Sequence, residues 1–206
     1  LCISAHWLTR GTYVNGSVNP KMIYDFSGFP QELYKVKYPS HGSPALAKEV
    51  QSLVKKTEVK WDTDWGYDHG TWAILRRLYP KADIPLFQMS IDYYKPAQYH
   101  YDLARELASL RKKGVLIIGS GNITHNLSIF DFSDINARPF DWAVEFDEKI
   151  KDALLDGNYQ ALIDYRDWGK ISKLAHPTPD HYYPLIYSIA LREKKEIITF
   201  PYEGFH

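Results

Sequence analysis

The chain has 206 residues, enough for one domain with a sizeable core. Its 25 Lys plus Arg balance its 25 Asp plus Glu, so no basic excess exists to neutralise a phosphate backbone, and no nucleic-acid partner is expected. No apolar run is long enough to span a bilayer, and the single cysteine, Cys2, excludes a disulfide framework and a cysteine-based zinc knuckle.

Residues 1–5 form an apolar run that reads as a buried strand, with no initiator Met or leader before it. Residues 43–56 carry Leu46, Val50, Leu53 and Val54 on one helical face, with Ser43 as a candidate N-cap and Pro44 as first helical residue. A second helix is expected over 70–78, with Asp68 a possible cap, followed by a strand over 84–90. Residues 96–113 read as a helix stopped by Gly114, 115–120 as a strand, 141–155 as a helix and 196–200 as a last strand. The abrupt beginning and end make the chain look like a fragment of a longer one. Alternating strands and helices define an α/β fold: a single layered domain over 1–206, with a central, mostly parallel sheet flanked by helices.

The composition is unusual in its 16 Tyr, 6 Trp and 8 His, so a metal site would be built from histidines and carboxylates. In open α/β sheets ligands sit at the carboxyl ends of the strands. His6 follows the first strand directly. His125 follows the strand over 115–120 after a polar turn whose glycines suit a close approach to a ligand. His69 opens a helix, and His181 lies before Pro184, which favours a helix that starts later and leaves His181 on a loop. His41, His100, His176 and His206 are weaker candidates; His100 reads as packing, and His176 as a residue that orients a neighbour. The turn at Gly119-Ser120-Gly121 lacks the spacing of a nucleotide-binding loop, and Ser120 lacks that of a hydrolase nucleophile. Trp7, Trp65, Trp72 and Tyr182 could wall an aromatic ring or simply pack.

Six motifs occur in order: Ser4-Ala5-His6-Trp7, Asp25-Phe26-Ser27-Gly28-Phe29-Pro30, Tyr38-Pro39 with Gly42-Ser43-Pro44, Asp68-His69-Gly70-Thr71-Trp72, Gly121-Asn122-Ile123-Thr124-His125-Asn126 and Pro179-Asp180-His181-Tyr182-Tyr183-Pro184. Together they resemble the class III extradiol ring-cleavage dioxygenases, in the branch of the DOPA 4,5-dioxygenases. The resemblance implies one metal ion per chain, Fe(2+) or Zn(2+), at the strand ends. It implies His6 and His181 as ligands, His125 as a ligand or an acid/base, and His69 as a substrate-side proton-transfer residue. It also implies a Gly-His-Gly-Ser-Pro segment with a further ligand His ahead of the first strand, a segment the domain is expected to lack. Ser40-His41-Gly42-Ser43-Pro44 mimics that motif at a helix start, so His41 is read as a decoy. Tyr24 stands where the family often has His.

The implied reaction opens a small aromatic catechol with O2 in the cytoplasm, where the lone cysteine suits reducing conditions. Vicinal hydroxyls chelate the metal while an imidazole, His125 or His69, moves protons near neutrality. Two other readings of the same scaffold are a zinc-binding hydrolase-like enzyme and a non-enzymatic interaction protein of the Memo type.

Overall fold

The computed structural model describes residues 1–130, 134 and 137–205; His206 lies outside them. Five strands form one sheet: β1 (Cys2–Thr9), β2 (Thr12–Asn15), β3 (Val59–Asp62), β4 (Gln88–Asp92) and β5 (Ile118–Ser120), in the order β3-β2-β4-β1-β5. β1 is parallel to β4 and β5, and β2 to β3; only the β2–β4 contact, Val14 opposite Met89, is antiparallel. The sheet is thus mostly parallel, as the alternating pattern implied. β4 is buried along its whole length and β1 nearly so, because both faces of these central strands are covered.

Side chains alternate between the two faces of a strand. Leu1 and Ile3 enter the larger core, shared with Met89, Ile91, Leu103, Phe146 and Ile186. Cys2 points to the other face, into a smaller core with Trp72, Leu75 and Tyr67. Ser4 and His6 share the parity of Cys2, so they meet the helix on that side, α2 (His69–Leu78). There Asp68 caps the helix, its side chain accepting the Thr71 N–H. Gly70 allows the contact: a Cβ at Gly70 would lie 2.7 Å from Ser4 Oγ and 2.8 Å from His6 Cδ2.

The other α-helices among the described residues are α1 (Pro44–Leu53), α3 (Ala97–Glu106), α4 (Ala108–Lys112), α5 (Asp141–Leu155), α6 (Tyr159–Ile163), α7 (Lys170–Ala175) and α8 (Tyr183–Leu191). Pro44 begins α1 as expected, but the Ser43 side chain makes no capping bond. The helix expected over 96–113 is two helices. At Leu107 the N–H bonds to Ala104 O, tightening the turn, while Leu103, Leu107 and Leu110 all stay buried. Residues 196–200 are not a strand. Glu196 is bound by Arg111, and Ile198 and Phe200 pack side chains against the larger core without joining a ladder. Only these two apolar side chains of the segment cover the core, while Ile197 beside them is exposed. Helix α8 begins at Tyr183 with Pro184 in its first turn, where a missing N–H leaves no bond unmade, and His181 stays on the preceding turn.

Candidate active site

Four imidazoles converge just beyond the end of β5. His6 lies inside β1, which runs on to Thr9, rather than after the strand as its apolar run suggested, because β1 pairs with β5 only as far as Ser4 and continues beside β4. The His69 and His6 ring centroids are 4.0 Å apart, those of His6 and His181 are 5.1 Å apart edge to face, and His125 stacks on His181 at 3.5 Å with planes 4° apart. The sequence candidates His6, His69, His125 and His181 therefore lie in one row. Their potential ligand atoms fall into two groups, His6 with Asp25 and His69, and His125 with Asp180 and His181.

Each group has its own carboxylate. Asp25 places Oδ2 3.0 Å from His6 Nδ1 and Oδ1 3.0 Å from His69 Nδ1, and it accepts the His69 backbone N–H at 2.9 Å. The His69 Nδ1 approach is off the line of a well-formed hydrogen bond. His181 Nδ1 lies 2.6 Å from Asp180 Oδ2. Partial burial pushes the Asp25 carboxyl up, but bonding to His6 and His69 outweighs it and holds the group well below the usual carboxylate range. Asp180 is lowered in the same way by His181 and Thr178 against its burial. Burial pulls His6 down, and the Asp25 hydrogen bond and charge more than offset it, so His6 is raised. His125 is lowered to about 4 by burial and by the charge of His181, which leaves it neutral at pH 7.

The His125 loop is stitched to the His181 segment. Asn122 N–H donates to His181 O at 3.0 Å, His125 N–H to Ala175 O at 2.8 Å and Asn126 Nδ2 to Leu174 O at 2.7 Å. Buried His176 supports the same loop, with Nε2 2.7 Å from Ile123 O, which is the orienting role anticipated for it. Gly121 is needed because a Cβ there would lie 2.3 Å from His181 O. The close approach expected of these glycines is to neighbouring backbone rather than to a ligand.

Other sequence candidates lie elsewhere. His41 is exposed, with Nδ1 2.9 Å from Asn19 Oδ1 and no place in the cluster. His100 is buried beside Tyr187 and Tyr183, a packing role. Trp72 and Tyr182 also pack: Trp72 Nε1 donates to Ile23 O and Tyr182 OH to Leu162 O. Trp65 stacks on Trp7 at 5.7 Å. Phe26, with its ring 5.4 Å from that of His69, flanks the cluster. A cavity of about 420 Å³ opens beside His125, lined in part by Thr124, Asn126, Phe140 and Trp142.

Sequence reasoning assigned no role to Asp25 or Asp180. Asp180 stands beside His181, and Asp25 opens one of the six motifs, but its pairing with His6 and His69 is visible only in the folded chain.

A mostly parallel α/β sheet thus carries, on one side, two groups of histidines and carboxylates of the kind that could hold a metal ion. Residues 1–202 match the family model described as the catalytic LigB subunit of aromatic ring-opening dioxygenase, and the chain belongs to that family of extradiol dioxygenases. It is 43% identical over 206 residues to a 4,5-DOPA dioxygenase extradiol of Escherichia coli K12, covering 98% of this chain and 75% of the relative. It is 40% identical to the 4,5-DOPA dioxygenase extradiol of Beta vulgaris, covering 99% and 78%. A crystal structure of an uncharacterized protein from Escherichia coli K12 superimposes with a TM-score of 0.84 at 39% identity, covering 98% of this chain and 79% of that one. Among the described residues, no helix is long and apolar enough to cross a membrane.

Proposed function

We propose that the chain opens the ring of a DOPA-like catechol with O2 around one divalent ion, using His6, His181 and His125 as the imidazole set. The observation that carries this reading is the row of imidazoles with carboxylates behind His6 and His181. The donors fit such an ion: imidazole suits iron and zinc alike, and a carboxylate held at Nδ1 turns Nε2 outward as a ligand. When bound, Fe(2+) supplies open coordination positions for a catecholate and dioxygen and can exchange electrons, which Zn(2+) cannot. Ring cleavage needs that exchange, so Fe(2+) is the working ion and Zn(2+) a competitor for the same imidazoles.

The chain's own residues then divide the remaining work. Neutral His125 has a lone pair for the ion or for a substrate hydroxyl proton. His69, beyond His6, serves proton transfer from the substrate side, and Asp25 keeps both rings oriented. Positioned acid/base groups of this kind contribute about 10²–10⁴ in rate. Phe26 offers an apolar edge that keeps water from that side of a bound ring. The DOPA-like substrate follows the relatives' names. Cys2, buried and free, suits the reducing cytoplasm.

The test is oxygen uptake after anaerobic loading with Fe(2+), with L-DOPA and with 4-methylcatechol. One O2 consumed per catechol and a ring-opened semialdehyde are expected, with no uptake from the Zn(2+)-loaded protein. A chain that binds Fe(2+) yet consumes no oxygen with either catechol overturns the proposal.

A further inference from the structure

Asp68 is fully buried beside the cluster and takes no part in the chemistry proposed above. Four donors reach its carboxylate. Oδ1 accepts from Ser4 Oγ at 2.7 Å and from the Thr71 N–H at 3.0 Å; Oδ2 accepts from Gln88 Nε2 at 2.7 Å and from Trp65 Nε1 at 3.3 Å. A helix cap needs only the Thr71 bond. The other three donors come from β1, from β4 and from the loop before α2.

Those donors bracket His6. Ser4 lies two residues before it, and Ser4 Oγ also accepts the His6 backbone N–H at 3.2 Å. Trp7 follows His6, and Trp65 is stacked on it with planes 3° apart. His69 is the next residue after Asp68. One buried carboxylate thus grips the strand on one side of His6, the ring that stacks on the other side, and the turn that begins with His69.

We propose that Asp68 is a positioning residue of the metal centre, fixing His6 against His69 so that Asp25 spans both rings. The proposal rests on the reading of His6 as a ligand. It accounts for a carboxylate this deep with donors from four segments, more than capping α2 requires.

The test uses the whole chain as wild type, Asp68→Asn and Ser4→Ala, with Zn(2+) in competition with a chromophoric chelator and Co(2+) read by its d–d absorption. Asparagine is as good a helix cap as aspartate, so Asp68→Asn keeps the start of α2. The Gln88 amide can turn to offer Oε1, which is unpaired here, to the new Nδ2. Trp65 Nε1 loses its acceptor. Zn(2+) affinity falls about tenfold, the lower end of the range for outer partners of metal ligands, and the Co(2+) bands shift. The metal-free melting point stays within a few degrees, which separates positioning from simple stability. Ser4→Ala cuts the Oδ1 side alone and shifts the Co(2+) bands too; it decides the matter if Asp68→Asn does not fold. Affinities within twofold of wild type with unchanged Co(2+) bands overturn the proposal. A wild-type chain that takes up neither ion overturns the metal-centre reading itself, and this inference with it.

Discussion

Replacing Asp25 by Asn tests the arrangement of the cluster most directly. The carboxylate offers one oxygen to His6 Nδ1 and the other to His69 Nδ1, each at 3.0 Å, while Oδ1 also takes the His69 N–H. An asparagine has one oxygen. Its amide nitrogen must then face an Nδ1 that carried a proton, and that ring must take the other tautomer, which places its proton on Nε2. One of the two imidazoles loses its free lone pair in the resting state. Outer partners of metal-binding histidines are typically worth 10–100-fold in affinity, about 1.4–2.8 kcal/mol. Asp25 also stabilises the fold at neutral pH through these same bonds, so the metal-free variant should melt lower, and affinities are compared at a temperature where both proteins are folded. Chelator competition for Zn(2+) at pH 7 gives the affinity, and thermal unfolding of the metal-free protein gives the control. Binding within twofold of wild type refutes the tautomer argument. A loss beyond about 10³-fold refutes it in the other direction, because it puts Asp25 in the ligand set rather than behind it.

Gly70→Ala normally favours a helix by about 1 kcal/mol, but here the new Cβ falls 2.8 Å from His6 Cδ2. The variant should lose metal affinity while melting no higher than wild type, measured by the same competition and by calorimetry. Burial lowers the buried His100 to about 4 from an ordinary value of 6.5, so it is neutral in the folded state and protonates more readily when unfolded. Its contribution is present above pH 6.5 and is lost as pH falls towards 4, roughly 3 kcal/mol in all. His6 is raised and acts in the opposite sense, while Asp25 and Asp180 lose their contribution only below the ordinary carboxylate range. Urea midpoints at pH 7.5 and 4.5 should therefore separate strongly for wild type and less for His100→Gln. A chain carrying a Gly-His-Gly-Ser-Pro segment ahead of Leu1 should bind Zn(2+) more tightly than residues 1–206 alone, by isothermal titration; equal affinities remove that histidine from the ligand set.

What was legible in the sequence followed patterns with a period or a punctuation mark. The strands around Ile3 and Gly119 announced themselves as apolar runs, and α5 showed its helical face through Phe146, Ile150 and Ala153. Helix α8 did not, because Pro184, Ile186, Tyr187, Ile189, Ala190 and Leu191 are all buried, and a helix covered all round has no polar face to set a period. β2 and β3 have four residues each, too short to read, and on β3 only Val59 is buried. Residues 196–200 misled because Ile198 and Phe200, which cover the core at alternate positions, give the pattern of a strand without one.

The candidate site divides along the same line. The four histidines could be gathered from sequence because each lies near an apolar run or a helix start, although His6 proves to sit inside β1 and His125 on the loop after β5. Of the carboxylates, Asp180 stood beside His181 in the chain, whereas Asp25 is on a loop distant in sequence and looks like a solvated charge until the fold brings it to two imidazoles. The arrangement has a chemical consequence. Neutral imidazole ligands leave the charge of a divalent ion uncompensated, which favours a catecholate on the open side. Asp25 and Asp180, one imidazole removed, return part of that negative charge without occupying a coordination position. A carboxylate inside the ligand set would neutralise the ion more completely and hold a catecholate less firmly. If, as proposed, the imidazoles hold the ion and the two aspartates stand behind them, the cluster should favour an anionic substrate.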